Sequence, residues 1–321
     1  MSRPIVEIVT PYAAQANNGN WRTAARWARL LGARYRVIVQ SEWKPGSQHA
    51  RADCLIALHA RRSYPAVRDW RERHPGKPLV VALTGTDLYR DLPESAEARA
   101  SLAAADRLIV LQDHALRVLP RPERAKARVV YQSAAALHPA VKPLTRLNCI
   151  LVAHLRPEKD PLTVLKAWEY LDPAEPIRLR LVGAALEPGL ALAARDFQAR
   201  EPRYRWIGPR AHAWTRQAIK RAHLLVLPSR MEGGANVIVE AVTSGTPVLA
   251  SRISGNIGML GTDYRGYFDS GDAPGLARLL RRCWKSPRFY RELARQCRTR
   301  SALFRPAREQ AALVRLIEEL V

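Results

Sequence analysis

The sequence holds no run of eighteen consecutive apolar residues, so no membrane-spanning helix is expected. Met1 to Val9 lead straight into a strand-like pattern, without a basic stretch and a long apolar segment behind it. That argues against a secretory leader and for a cytoplasmic protein. Cysteine is scarce: Cys54, Cys149, Cys283 and Cys297 lie far apart and never form C-x-x-C. This spacing suits neither a zinc site nor a disulfide framework and leaves reduced thiols as the expectation. Cys54 and Cys149 stand in apolar runs and read as core rather than as nucleophiles. No D-x-D pair occurs, so no magnesium clamp or other cofactor is expected. Acid is in short supply, with 29 Asp and Glu against 52 Lys and Arg, a net charge of +23. The excess attracts anions. It forms no polybasic tail, and arginine is spread over the predicted helices. Two readings stay open, a solvated basic surface and a cleft that draws phosphates. A basic nucleic-acid-binding protein is the alternative from another class. It lacks a motif, and the basic residues are not clustered with aromatics, so no specific nucleic acid is expected as a partner.

What the chain does have is alternation. Its 321 residues are 47% hydrophobic, enough for about two domains with proper cores. Strands are predicted at Pro4–Thr10, Tyr35–Gln40, Asp53–Leu58, Pro78–Leu83 and Arg107–Leu111. Helices are predicted at Trp21–Leu31, Ser63–His74 and Ser95–Ala104, after a loop at Pro11–Asn20. This pattern ends near Val129–Tyr131, and Ser133–Arg146, with Pro139 and Pro143, reads as a linker. A second series has strands at Cys149–Ala153, Ile177–Val182, Tyr204–Ile207, Leu224–Leu227 and Pro247–Ala250. Its helices are Pro161–Leu171, Leu190–Ala199, Thr215–Arg221 and Asn236–Ser244, and a helical tail follows, broken near Pro287 and Pro306. The expected architecture is α/β, two Rossmann-like domains facing across a cleft, at 1–143 and 144–305. The final helix, 306–321, is free to pack back on the first domain. In such sheets ligands bind beyond the carboxyl ends of the strands, so the informative loops follow strands.

The richest of these loops runs from Ser229 to Ala250. Gly233, Gly234 and Ala235 let a backbone approach a ligand closely, and the helix starting near Asn236 offers free amides to a phosphate. Glu232 lies in the loop and Glu240 about two turns into the helix. A carboxylate there can accept two hydrogen bonds from a diol. The plainer alternative is a helix cap at Glu232 and a surface ion pair at Glu240. A second loop is His154-Leu155-Arg156-Pro157-Glu158-Lys159-Asp160-Pro161, where Arg156 and Lys159 otherwise read as a surface arginine and a helix-starting lysine. His154 lines the site or sits at a strand end.

In the first domain, Asn17-Asn18-Gly19-Asn20-Trp21-Arg22 makes a tight turn into a helix. Its amides and Arg22 can meet an anion, or the stretch is a capped helix with Trp21 in the core. Thr84-Gly85-Thr86-Asp87 follows the fourth strand, and Asp87 reads as a helix cap. His59-Ala60-Arg61-Arg62-Ser63 follows the third and sets paired cations at the sheet edge, either a ligand site or a solvated turn.

The Ser229–Ala250 stretch resembles the E-x7-E signature of the retaining glycosyltransferases of the fourth sequence family, which have the GT-B fold. The resemblance implies that Glu240 binds the nucleotide ribose, that Glu232 faces the donor sugar, and that Arg156 and Lys159 grip its diphosphate. Fixed cations would stabilise the charge that grows on a departing nucleoside diphosphate. Together with Asn18–Thr23, Leu58–Ser63, Leu83–Asp91, Tyr131–Ala134, His154–Pro161 and Gly255–Gly261, the chain is similar nearly end to end to one subgroup. These are the selenosugar synthases of bacterial selenoneine biosynthesis. Gly234-Ala235-Asn236 departs from the broad family, where Phe-Gly and an apolar residue are common, and so brings Asn236 within reach of the sugar or a phosphate.

The resemblance implies that selenophosphate attacks the anomeric carbon of a UDP-sugar, UDP-N-acetylglucosamine the foremost candidate, with UDP and phosphate released. A soft anionic nucleophile needs scarcely any general base, and none stands out in the first domain. It does need cations: Arg22, Arg61 and Arg62 are the candidates, with Thr86, Gly85 and the amides at Gly19 and Asn20 as further contacts. His59 is a candidate participant in removing the phosphate. The nearest alternative is a glycosyltransferase acting on a hydroxyl acceptor. It would show an activating base and often an apolar membrane-docking patch, for which the helix bearing Trp27 is the one candidate. No membrane partner is expected.

Overall fold

The computed structural model describes residues 3–11, 19–43, 51–143 and 145–320. Asn17 and Asn18 lie outside the described residues. The chain forms two compact units, Met1–Ser133 with Arg305–Val321, and Ala134–Phe304.

The first unit is a parallel sheet of β1 (Ile5–Val9), β2 (Arg36–Gln40), β3 (Cys54–Leu58), β4 (Leu79–Leu83), β5 (Arg107–Val110) and β6 (Ala127–Val129). Its order is β2-β1-β3-β4-β5-β6. The connecting helices are α1 (Gly19–Leu31), α2 (Tyr64–Arg73), the single turn α3 (Leu92–Glu94), α4 (Ala96–Ala104) and α5 (Arg121–Ala125). Both sheet faces are covered, which is why the central strands β3 and β4 read as unbroken apolar runs. On one face Val9, Leu55, Ala57 and Val81 pack with Trp43, Trp70 and Leu102. On the other, Val6, Ile8, Ile56 and Leu58 pack with Ala24, Trp27 and Leu31 of α1.

The second unit is also a parallel sheet: β7 (Leu147–Val152), β8 (Ile177–Val182), β9 (Tyr204–Trp206), β10 (Leu224–Leu227), β11 (Val248–Ser251) and β12 (Tyr267–Phe268), in the order β12-β11-β10-β7-β8-β9. Its helices are α6 (Pro161–Glu169), α7 (Pro188–Arg200), α8 (His212–Arg221), α9 (Asn236–Val242), α10 (Ser254–Leu260), α11 (Ala273–Lys285) and α12 (Pro287–Arg300). Two of them start where the sequence supplies a cap followed by proline. Asp272 accepts from the Gly275 amide ahead of α11, and Ser286 from the Phe289 amide ahead of α12. The proline-bearing segment that reads as a linker is fastened to this unit from Ala135 onward. Arg216 Nη2 donates to the Ala135 carbonyl at 2.6 Å, Leu137 N to the Thr243 carbonyl at 2.9 Å, and Lys142 Nζ to Thr246 Oγ1 at 2.9 Å. The units therefore part at Ser133, ahead of Pro143.

The last helix, α13 (Pro306–Glu318), returns to the first unit and lays Leu313, Leu316 and Ile317 against α1. Buried Glu309 ties the two helices. It accepts from Arg26 Nε at 2.9 Å, from the Trp27 indole at 2.8 Å and from Ser133 Oγ. The apolar face of α1 is thus filled by the chain itself, and Trp27, fully buried, is its core tryptophan, while Trp21 is only half-buried.

A second buried acid is left unsatisfied. Glu7 sits mid-strand on β1, fully buried, and neither carboxylate oxygen has a hydrogen-bond partner among the described residues. Burial pushes its carboxyl from 4.5 up to about 7, and the nearby Trp43 indole pulls it back only in part. A pKa raised on folding means the native state holds its proton longer. Stability is then full below the unfolded value and is lost as pH rises through about 7.

Two outcomes are expected. Glu309→Ala, which removes the buried acceptor shared by Arg26, Trp27 and Ser133, should destabilise the protein by about 3 kcal/mol in urea unfolding. Between pH 5 and pH 8 the wild type should lose up to about 3 kcal/mol through Glu7. Glu7→Gln should flatten that slope in thermal melts; an unchanged slope would refute the assignment.

Candidate functional site

In the second unit, β7 is flanked by β10 on one side and β8 on the other. The chain order reverses between β7 and β10, and at such a point the loops leaving the two strands diverge and open a crevice for a ligand. The β7 loop carries Arg156 and Lys159, and the β10 loop carries Glu232. Three contacts stitch them together. Lys159 Nζ donates to Glu232 Oε1 at 2.6 Å, Arg230 Nε to Asp160 Oδ2 at 3.1 Å, and the Arg230 amide to the Glu158 carbonyl at 2.9 Å. Asp160 also accepts from Thr163 Oγ1 at 2.8 Å and takes a left-handed backbone, φ +42°. Aspartate tolerates this because its short side chain can bond locally. Arg156 is half-buried, and its Nε has no partner among the described residues.

Two glycines set the depth of these loops. A Cβ on Gly255, in the first turn of α10, would lie 1.9 Å from the Glu232 carbonyl oxygen. A Cβ on Gly183 would lie 1.8 Å from the Ala153 carbonyl oxygen, next to His154. His154 Nδ1 in turn accepts from the Ala184 amide at 3.1 Å, which ties it to the end of β8. Gly233, Gly234 and Ala235 form the bend before α9, and Asn236 is its first residue. Glu240, buried on α9, meets His212 Nε2 through Oε1 at 2.7 Å.

In the first unit the order reverses between β1 and β3, and the marked residues again gather on loops after strands. His59, just past β3, has φ +76°. Its Nδ1 accepts from the Arg62 amide at 3.3 Å, so its proton lies on Nε2, which donates to Thr86 Oγ1 at 3.0 Å. Arg61 Nε reaches Asp91 Oδ2 at 2.8 Å and Arg90 Nε reaches Asp91 Oδ1 at 3.3 Å. Burial alone would push the Asp91 carboxyl up, but these two arginines hold it below the usual carboxylate range.

Asp87 does more than cap a helix. Fully buried, it accepts from the amides of Thr84 (2.9 Å) and Gly85 (2.8 Å) and, across to the β3 loop, from Ala60 (3.0 Å). The Gly85 amide is thereby turned inward, away from any ligand. Its φ of +139° is a conformation that favours glycine. Gly19 and Asn20 form the first turn of α1 with a half-buried Arg22, and Arg62 is exposed.

The structure thus brings together Arg156, Lys159, Glu232 and Gly233 to Asn236 at one sheet edge, and His59, Arg61, Gly85 and Thr86 at another. Sequence reading gave no role to His212, Arg230 or Asp160; a residue before proline favours extended backbone, so the Asp-Pro junction did not signal the left-handed Asp160. Among the described residues, no group of three or more His, Cys, Asp or Glu is placed to hold a metal ion. All four cysteines are buried and free. Burial pushes the Cys54 and Cys283 thiols up to about 12 and Cys297 to about 11, far from a reactive thiolate. No helix among the described residues is long and apolar enough to cross a membrane.

Two six-stranded parallel sheets with helices on both faces are the GT-B architecture, and solved structures of that class superpose on the chain. HepE of Anabaena, solved in complex with UDP, matches at TM-score 0.80 and 16% identity, over 99% of this chain and 100% of that one. The sucrose-phosphate synthase of Thermosynechococcus elongatus matches at TM-score 0.80 and 17% identity, over 99% of each. A glycosyltransferase of Rickettsia africae matches at 0.71 and 12%, over 100% and 99%. At these identities the likeness is one of fold. No curated protein sequence matches the chain. The sequence model of the glycosyl transferases group 1 matches residues 138–302, just over half of the chain, and the chain belongs to that family.

Gly255→Ala should push the Glu232 backbone outward and lower glycosyl transfer roughly a hundredfold, the penalty for about 1 Å of misplacement. Gly189→Ala, where an added Cβ meets nothing within 4 Å, should leave the rate unchanged. Equal rates for the two variants would dismiss the bracing role of Gly255.

Proposed function

We propose that the chain joins selenium to a sugar. The selenium of selenophosphate bonds to the anomeric carbon of a UDP-sugar, UDP-N-acetylglucosamine in the first place, as the bond from that carbon to the diphosphate oxygen breaks and UDP departs with the electron pair. Water then cleaves the P–Se bond, which yields a 1-selenosugar and phosphate. In this reading Arg156 and Lys159 bind the diphosphate, Glu232 orients the sugar hydroxyls and Glu240 the ribose. Arg22, Arg61, Arg62 and Thr86 receive selenophosphate.

The observation that carries the donor half is the stitched pair of loops at the β7/β10 reversal, where Lys159 and Glu232 meet at 2.6 Å. HepE, of the same fold, was solved with UDP and with UDP-glucose, which supports a UDP-sugar as donor. The acceptor half is supported by what surrounds His59. Asp87 is consumed by three amides, Asp91 by two arginines, and both nitrogens of His59 are engaged. Protonating any of these groups would weaken the pairings they already make, whereas the Arg61 guanidinium beside Asp91 is a cation of the kind an anionic acceptor needs.

Incubation with selenophosphate and a panel of UDP-sugars, followed by mass spectrometry, should reveal a selenosugar together with UDP. Arg156→Ala should reduce turnover roughly a hundredfold, and Glu240→Ala should weaken UDP binding by at least about tenfold. Efficient transfer to an alcohol acceptor with none to selenophosphate would replace this reading with that of a hydroxyl-directed glycosyltransferase.

A further inference from the structure

We infer that His212, the first residue of α8, is a positioning residue that fixes the Glu240 carboxylate for a vicinal diol; the inference rests on the proposed role of Glu240 in binding the nucleotide ribose. The main chain of Glu240 is locked from two sides. Arg216, one turn beyond His212 on α8, donates Nη1 to the Glu240 carbonyl at 3.0 Å and to Thr243 Oγ1 at 3.1 Å. Ser244 Oγ donates to the same carbonyl at 2.6 Å. What remains loose is the side-chain torsion, and His212 closes it through the 2.7 Å contact between Nε2 and Oε1. A carboxylate only accepts, so this nitrogen carries the proton.

The two acids of the E-x7-E pair are therefore prepared differently. Glu232 is paired with the ammonium of Lys159. Glu240 is held by an imidazole N–H, which occupies one of its lone pairs. The remaining lone pairs can accept both hydroxyls of a cis-diol, and the carboxylate plane is set before the ligand arrives. The Glu240 side chain is 8% exposed while that of His212 is 53% exposed, so the imidazole reaches the acid from the solvent side and is not part of the core. Substitution there should spare the fold.

The test is UDP binding by calorimetry on the full chain, with melting temperatures measured alongside. His212→Ala should weaken UDP roughly tenfold with an unchanged Tm. His212→Gln, which keeps an N–H donor, should recover most of that loss, and His212→Glu, which sets a like charge beside Glu240, should bind worst. The double variant with Glu240→Ala should lose no more than Glu240→Ala alone, because His212 acts through that acid. Additive losses would mean that His212 meets the nucleotide itself, and wild-type affinity in His212→Glu would mean that it does nothing here; either result overturns the inference. Wild-type UDP affinity in Glu240→Ala would instead overturn the donor-site reading on which it stands. Should the alanine variant fail to fold, the order of Gln above Glu decides.

Discussion

The loops after β7 and β10 are joined through one pair of charges, Lys159 and Glu232, held 2.6 Å apart where the order of the sheet reverses. The side chains are only 18% and 8% exposed, so both charges have given up much of their hydration. Such pairs gain little net stability, because desolvation cancels most of the attraction. Their worth lies in geometry. The contact holds Glu232 on the β10 loop against Lys159 on the β7 loop, and Arg230 adds two further links between the same loops. A loop pair stitched this way holds its charged groups at fixed separation before a ligand arrives.

Backbone strain follows the same map. Among the described residues only His59 and Asp160 have positive φ without being glycine, at +76° and +42°. One lies just past β3, beside the reversal in the first sheet; the other lies past β7, beside the reversal in the second. Such conformations persist only where neighbours over-determine them. Asp160 is held by Thr163 and Arg230, and His59 by Thr86 and the Arg62 amide. Gly183 and Gly255 complete the constraint from behind, since any larger residue would push into the carbonyls of Ala153 and Glu232.

The alternation of strand and helix was readable because strands such as β3, β4 and β10 are buried on both faces and so are written as continuous apolar runs. β6 and β12, with three and two residues, are too short to carry any period, and their place in the sheets comes from their neighbours. The glycine-rich loop and its two acids were legible because their spacing is local. The partners of those acids were not. His212 sits 28 residues from Glu240, and Lys159 73 residues from Glu232. No local pattern encodes pairings that only the sheet order creates. Asp87 shows the same limit: four residues of sequence suggest a cap, whereas the fold brings the β3 loop close enough for its carboxylate to bind Ala60 as well. The excess of arginine, ambiguous by composition, is partly resolved by contact, since Arg26, Arg61 and Arg90 are each committed to a specific carboxylate.

These commitments bear on the choice of acceptor. A hydroxyl nucleophile must lose a proton as it attacks, and a carboxylate or imidazole with an unoccupied lone pair is a common acceptor for it. At the loops after β3 and β4, Asp87 is engaged by three amides and Asp91 by two arginines. An acid that is saturated with amide donors is a poor base, because protonating it would break those bonds. A nucleophile that arrives already anionic makes no such demand. What it requires is positive charge and a donor, the parts proposed above for Arg61 and the Thr86 hydroxyl. That hydroxyl accepts its hydrogen bond from His59 Nε2, which leaves its own proton to donate. The same hydrogen bonds that rigidify this edge are the physical ground for proposing a charged acceptor in place of an alcohol.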